Sequence, residues 1–376
     1  FGKKNPDDYL KKIQCKIPFL NGGLFEPING YDWKKTDIVI DNNIFKSIID
    51  IFERFNFTVR EDDDLDIEVA VDPEMLGKVF ENLIEDNEKK KDGVWYTPRQ
   101  TVKFMVDQVL ISFLVNSVED YISSDNIFQL INSLKIDDLK KPQIETIDHY
   151  LKNIKICDPA IGSGAFAIGL ADKIVKIRLI LNNSTDKYFY KKHVITESIY
   201  GVDIDAGAIE IAKLRLFLFL TVDTDVIEKI EPLPNLDFKI MQGNSLVEDF
   251  HGVILDINKK INKQGDIFEN IGMEEKLISD LHNIQMIYLN ESDFDKKLFL
   301  KKKIEKAIKD IFLFKCEEKS KFINISKMKE DIERTFETQI FKPFFFWKLY
   351  FSDVFYEKGG FDIVIGNPPY VEARHS

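Results

Sequence analysis

Near the end of a 376-residue sequence, the run FDIVIG (361–366) leads into Asn367-Pro368-Pro369-Tyr370. The apolar run reads as a buried strand, and the two prolines stiffen the chain where it leaves that strand. A turn held this way can aim the Asn367 side chain and the Pro368 carbonyl in one direction. Two convergent acceptors suit a planar exocyclic amino group, which offers two N–H donors. The nitrogen of such a group is a poor nucleophile, because its lone pair is delocalised into the ring. Acceptors set out of the ring plane favour a more tetrahedral nitrogen and free the lone pair for in-line attack on a sulfonium methyl. No strong base is needed, since the nitrogen becomes acidic only as it is methylated. Tyr370 adds an aromatic face for stacking, and a base in duplex DNA must first be flipped out to reach it. The plain alternative is a rigid Pro-Pro turn with a buried tyrosine.

A second group lies at DPAIGSGAF (158–166). Gly162, Gly164 and Ala167 match the G-x-G-x-x-[GA] dinucleotide spacing, but Asp158-Pro159-Ala160-Ile161 separates the glycines from the preceding strand. That strand ends on a carboxylate, which suits a cationic ammonium better than a pyrophosphate. The methionine portion of S-adenosyl-L-methionine carries such a group, and glycines let the backbone approach it closely. One strand later, YGVDID (200–205) places Asp203 to accept hydrogen bonds from both ribose hydroxyls of an adenosine, while Asp205 suits a helix cap. Pro159 and Ile204, beside these carboxylates, join the same cofactor-binding set. In GNSL (243–246), Asn244 can meet the adenine edge, although asparagine is also a common turn residue.

These residues need a sheet to bring them together. From about residue 151 the chain alternates strand, glycine loop, helix and strand: NIKICD, then AFAIGLADKIVKIRLIL, ESIYGVDID, AGAIEIAKLRLFLFL and LDFKIMQGNS. That alternation predicts an α/β fold with a parallel, doubly wound sheet, whose ligands sit at the carboxyl ends of the strands. Upstream, Thr97 and Pro98 begin a helix with Val102, Met105, Val106 and Val109 on one face, and Asp72-Pro73 begin another over 72–87. A charged stretch near 247–345 interrupts the alternation. There 273–289 and 297–314 carry apolar residues at three- and four-residue spacing, and a largely helical excursion from the sheet is expected. The resulting division is a mostly helical N-terminal region (1–92), the first part of a cofactor-binding core (93–246), a helical insertion (247–345), and the catalytic strand with its loop (346–376).

The formal charge of −12 argues against a general affinity for polyanions, although 62–68 is strongly acidic and 296–309 is basic. A solvated helix face explains the basic run better than a nucleic-acid contact. Cys15, Cys157 and Cys316 form no metal-type pair, and the five histidines are scattered, so no metal site is expected. Apolar runs such as LRLFLFLTV (214–222) are too short to cross a bilayer, and a cytoplasmic location is expected. A start at Phe1 and the lack of a closing element after Tyr370 read as part of a longer polypeptide.

Taken in order, YTP (96–98), DPAIGSGAF, YGVDID, GNSL and GNPPY (366–370) resemble the N6-adenine DNA methyltransferases of the gamma arrangement. The likeness is closest to the methylase portion of type IIG restriction–modification enzymes, and PFLNGGLFEP (18–27) and the stretch 344–371 are similar to the same group. Together these motifs span most of the chain. The resemblance implies S-adenosyl-L-methionine as cofactor, with Tyr96 and Thr97 at its methionine end. It implies Asp158, Gly162 and Gly164 along its loop and Asp203 at its ribose. Asn367, Pro368 and Tyr370 would receive a flipped adenine of double-stranded DNA. It also implies target-recognition and nuclease domains in the same parent chain, and no membrane. Two departures stand out. More than a hundred residues separate GNSL from GNPPY, and neither later strands nor a recognition domain follow Tyr370. Glutamine methyltransferases of release factors share Asn-Pro-Pro-Tyr but lack the YTP helix start and the long insertion. A structured-RNA methyltransferase and a non-catalytic scaffold that binds the cofactor stay open, and a nicotinamide oxidoreductase would leave Asn367–Tyr370 idle.

Overall fold

The computed structural model describes residues 41–54, 97–118, 121–221, 235–250, 253–254, 273–291, 293–318 and 344–368. The expected helix start at Asp72-Pro73, together with Tyr96, Pro369 and Tyr370, lies outside the described residues.

Helix α1 (Asn42–Arg54) is followed by α2 (Arg99–Val118), α3 (Ser124–Ser133) and α4 (Lys141–Asn153). Pro98 accepts the first helical hydrogen bond of α2 through its carbonyl, from Val102 N–H at 3.0 Å, as suits a proline at a helix start. Val102, Val106, Leu110, Leu114 and Val118 recur every fourth residue and are buried. By length and composition α2 is apolar enough to cross a membrane, which the shorter runs singled out in the sequence are not. Its stripe instead belongs to the core shared with α3, α4 and the glycine-loop helix, and Asp107 on it pairs with Lys173 at 2.8 Å. Ser123 caps α3 by accepting from Asn126 N–H at 3.3 Å, and Leu134 ends that helix in the left-handed conformation, φ 55°.

The predicted alternation then follows: β1 (Ile156–Asp158), α5 (Ala165–Leu181), α6 (Lys187–His193) with a π-helical turn after it, β2 (Ile199–Asp203), α7 (Ala206–Thr221) and β3 (Ile240–Gln242). A two-stranded antiparallel hairpin, β4 (Asp249–Phe250) and β5 (Val253–Ile254), precedes α8 (Met273–Asn290), α9 (Phe294–Glu318), α10 (Trp347–Tyr350), α11 (Ser352–Glu357) and β6 (Ile363–Val364). The central sheet has four parallel strands in the order β3-β2-β1-β6. The α/β class expected from the alternation is the class observed.

Strand alternation splits the core into two layers. Ile156, Ile199, Ile240 and Ile363 face α2 to α7, whereas Cys157, Tyr200 and Val202 face the other way. The helices expected over 273–289 and 297–314 form as α8 and α9. Far from standing off the sheet, they carry Leu281, Ile304, Ile308, Ile311 and Phe312 into the second layer with Tyr200 and Val202. Three consecutive aromatic residues, Phe344 to Phe346, seal that layer, with the Phe344 and Phe346 rings stacked 4.6 Å apart. Among the described residues no strand from this stretch joins the central sheet. Within them, too, β6 pairs only with β1, and the Val364 side chain is 64% exposed.

A buried polar triad links the second layer to the strands. The Tyr200 hydroxyl donates to Asp353 Oδ2, and Lys239 Nζ donates to the Tyr200 hydroxyl while lying 3.2 Å from Asp353 Oδ2. Burial lowers the Lys239 pKa and the adjacent Asp353 carboxylate works against that shift. Replacing one member strands the others in a medium that cannot solvate them. Lys239→Met should therefore lower stability by about 3–5 kcal/mol, read from urea denaturation. The double variant Lys239→Met/Asp353→Asn should recover part of the loss; equal stability of wild type and Lys239→Met would show the triad to be inert.

Candidate active site

Four strand ends converge at the carboxyl edge of the sheet: Asp158 closes β1, Asp203 closes β2, Asn244 follows β3 and Asn367 follows β6. The glycine loop is threaded between the first two. Ile161 N–H donates to the Val202 carbonyl at 3.0 Å, and Gly164 N–H to the Ile161 carbonyl at 2.8 Å. Gly162 and Gly164 take φ values of +51° and +88°, which side chains with a Cβ rarely adopt. A Cβ on Gly162 would meet no heavy atom within 4 Å, so the space above it is open.

Asp203 braces this loop. Its Oδ2 accepts from Gly162 N–H at 2.8 Å and its Oδ1 from Asp205 N–H at 3.0 Å. Burial raises its carboxyl above the usual range, and those two backbone hydrogen bonds oppose the shift. Asp205 caps α7, as its position implies, by accepting from Gly207 N–H at 2.7 Å. Asn244 uses its Oδ1 in the turn, accepting from Leu246 N–H at 3.1 Å, which leaves its Nδ2 as the group for any adenine contact. Ile204 is half exposed at this edge, its carbonyl held by Gln242 Nε2 at 3.0 Å.

Arg215 is a support that sequence reasoning missed. It is buried on α7, and its Nη1 donates to the Ser163 carbonyl at 2.9 Å and to Ser163 Oγ at 3.2 Å. A lone arginine inside the apolar run LRLFLFL was the available signal, because a buried guanidinium requires fixed acceptors.

Asp158 is 2% exposed. Its Oδ1 accepts from Ala160 N–H at 3.0 Å, while its Oδ2 is buried with no hydrogen-bond partner among the described residues. Burial pushes the carboxyl up to about 8; the Ala160 N–H opposes that rise and the Asp203 charge adds to it. β6 passes directly over this residue. Ile365 N–H donates to the Cys157 carbonyl at 3.0 Å, and a Cβ at Gly366 would lie 2.7 Å from Asp158 Oδ1 and 3.3 Å from Pro159 Cδ. Only glycine fits there. The next residue, Asn367, is half-buried, and its Nδ2 donates to Thr97 Oγ1 at 3.2 Å. Thr97, expected at the methionine end of a cofactor, thus stands against Asn367, expected at the adenine. Pro368 is exposed.

An unpaired buried carboxyl oxygen costs free energy until a donor reaches it. A cationic ammonium would supply that donor, the open space over Gly162 would admit it, and Asp203 lies one strand away for a ribose. The residues present therefore fit S-adenosyl-L-methionine.

Comparison with known proteins points the same way. The sequence model of the N-6 DNA Methylase family matches residues 71–250, and that of the Eco57I restriction-modification methylases matches 197–376. A putative type II restriction enzyme and methyltransferase of Methanocaldococcus jannaschii is 28% identical over 94% of this chain and 34% of its own length. DNA methyltransferase A of Bacillus subtilis is 24% identical over 57% of this chain and 21% of its own. The chain thus spans about a third or less of the curated relatives it matches. With the glycine loop and Asp203 inside the first family match and the Asn367 strand inside the second, the chain resembles the N-6 DNA methylases over 71–250 and the Eco57I restriction-modification methylases over 197–376.

Proposed function

We propose that this chain is the methylase portion of a type IIG restriction–modification enzyme that moves a methyl group from S-adenosyl-L-methionine to the N6 of adenine in double-stranded DNA. The observation that carries the proposal is the contact between Gly366 and Asp158. It brings Asn367, the next residue along, near a buried carboxyl group whose Oδ2 has no hydrogen-bond partner among the described residues, although more than two hundred residues separate them in sequence.

The cofactor, when bound, supplies an electrophilic methyl on a sulfonium. Asp158 holds the ammonium, and Asp203 accepts from the ribose while keeping the glycine loop in place. Gly162 and Gly164 leave the backbone bare where the ligand lies. Asn367 Oδ1 and the Pro368 carbonyl accept the two amino hydrogens of a flipped adenine, and Tyr370 stacks on the base. Residues 93–246 and 346–376 would then form the catalytic core, with 1–92 and 247–345 as the N-terminal and inserted regions. Target-recognition and nuclease domains elsewhere in the parent protein, and a cytoplasmic location, belong to the same proposal. The nuclease part of the proposal is supported by the Methanocaldococcus jannaschii relative, named a putative type II restriction enzyme and methyltransferase.

The test is to incubate the full-length protein with DNA and methyl-labelled cofactor, then to digest the DNA and identify the product by mass spectrometry. N6-methyladenine is expected. Methylated cytosine, or label carried on protein glutamine in place of DNA, would overturn the assignment.

A further inference from the structure

We infer that Thr97 is a positioning residue for Asn367, anchoring the plane of its carboxamide beside the place where the acceptor amino group would lie. The inference rests on the proposed adenine N6 chemistry. The terminal torsion of an asparagine is broad, so a carboxamide without a partner samples many planes, and only some of them point an acceptor at the amino group. A hydrogen bond that fixes the plane therefore sets the fraction of the protein able to react.

The contact is built to do this. Asn367 Nδ2 donates to Thr97 Oγ1 at 3.2 Å, and among the described residues no hydrogen bond reaches Asn367 Oδ1. The oxygen is thus left available on the side away from Thr97. Both partners sit on restrained backbone. Thr97 directly precedes Pro98, and the Pro98 carbonyl takes the first helical hydrogen bond of α2. That helix is anchored by Val102, Val106, Leu110 and Leu114, none more than 8% exposed. Asn367 follows Gly366, which is pinned over Asp158, and precedes Pro368, whose ring fixes φ. Because α2 packs against the glycine-loop helix α5, through Val102 and Val106 against Gly169, Thr97 references Asn367 to the same rigid unit that shapes the cofactor loop.

The experiment compares Thr97→Val, which keeps the shape and removes the acceptor, with Thr97→Ser, which keeps the hydroxyl, both in the full-length protein. At saturating cofactor, Thr97→Val should lower kcat about tenfold, and Thr97→Ser should stay within about threefold of wild type. Because kcat is read at saturating S-adenosyl-L-methionine, any contact of Thr97 with the cofactor's methionine end would appear in KM, and the loss of the Asn367 contact in kcat. A second readout does not depend on activity. In protein labelled with 15N-asparagine, the Asn367 side-chain amide signal, identified by its loss in Asn367→Asp, should shift in Thr97→Val and hold in Thr97→Ser. A Thr97→Val protein with unchanged kcat and raised KM, or with an unmoved amide signal, overturns the inference. If the amide responds as expected but the wild-type protein methylates no adenine, the Thr97–Asn367 contact stands and the N6 reading alone falls.

Discussion

Asn367→Ala in the full-length protein should lower the rate of methyl transfer by about a hundredfold or more while leaving the dissociation constant for S-adenosyl-L-methionine within about threefold. The magnitude follows from what the side chain does. In the proposed reaction its oxygen would strengthen its hydrogen bond as the amino nitrogen moves from planar toward tetrahedral, so its contribution would fall on the transition state and not on the bound ground state. The separation between rate and affinity follows from the geometry. The hydrogen-bond partner of Asn367 is Thr97, whereas the glycine loop is held by Asp203, Val202 and Arg215, none of which depends on the Asn367 side chain. Single-turnover rates at saturating cofactor, set beside equilibrium binding measured by calorimetry, provide the check. A loss of affinity that matches the loss of rate would mean that Asn367 belongs to the cofactor site.

Asp158→Asn should give opposite effects on stability and on binding, with a pH dependence that identifies the cause. In the ligand-free protein burial holds the Asp158 carboxyl protonated up to about 8; in an unfolded chain it ionises near about 4. Between those values the folded state keeps a proton that the unfolded state has released. Stability from this group is therefore complete below about pH 4 and is lost as pH rises toward 8, at no more than about 1.4 kcal/mol per unit. An asparagine has no such titration. The stability of the variant relative to wild type should grow steadily from about pH 5 to 8, on top of any constant cost of burying the amide N–H. Cofactor affinity should move the other way. Replacing the carboxylate with a neutral amide removes a charge-assisted hydrogen bond to the ammonium, worth about 1.5–3 kcal/mol, or roughly ten- to a hundredfold in affinity. Because the cation stabilises the ionised carboxylate, binding near pH 7 should release close to one proton in wild type and none in the variant. Calorimetry in buffers of different ionisation enthalpy measures that release. Equal proton release from the two proteins would remove Asp158 from the ammonium site.

Much of the fold was legible because its causes are local. The helix predicted from AFAIGLADKIVKIRLIL is α5, from Ala165 to Leu181, and it begins where Gly164 takes a positive φ. The residue assigned as a cap, Asp205, accepts from Gly207 N–H two positions on. Capping, glycine turns and apolar spacing all act over a few residues, and a sequence displays them directly. The strand ends carrying Asp158 and Asp203 were visible for the same reason. What the spacing of α8 and α9 did not convey was their destination: periodicity marks an apolar face without naming the surface it covers, and that surface is the sheet around Tyr200 and Val202.

By itself, then, the sequence determined the kinds of chemistry available: a carboxylate before a glycine loop, a second carboxylate one strand on, and an asparagine stiffened by prolines. The tertiary structure decided which of these touch. It put β6 next to β1, so that Gly366 crosses Asp158, and it brought Thr97 to Asn367 across 270 residues of chain. It left Asp158 Oδ2 buried and unpaired among the described residues and so moved its carboxyl out of the ordinary acidic range. It also set Arg215 beneath Ser163 and Lys239 beside Asp353. The physical reason is common to all of them. Residue type and local spacing set what a side chain can donate, accept or ionise. Which partner it meets, and how far it is removed from water, depends on apolar faces distant in sequence closing on one another.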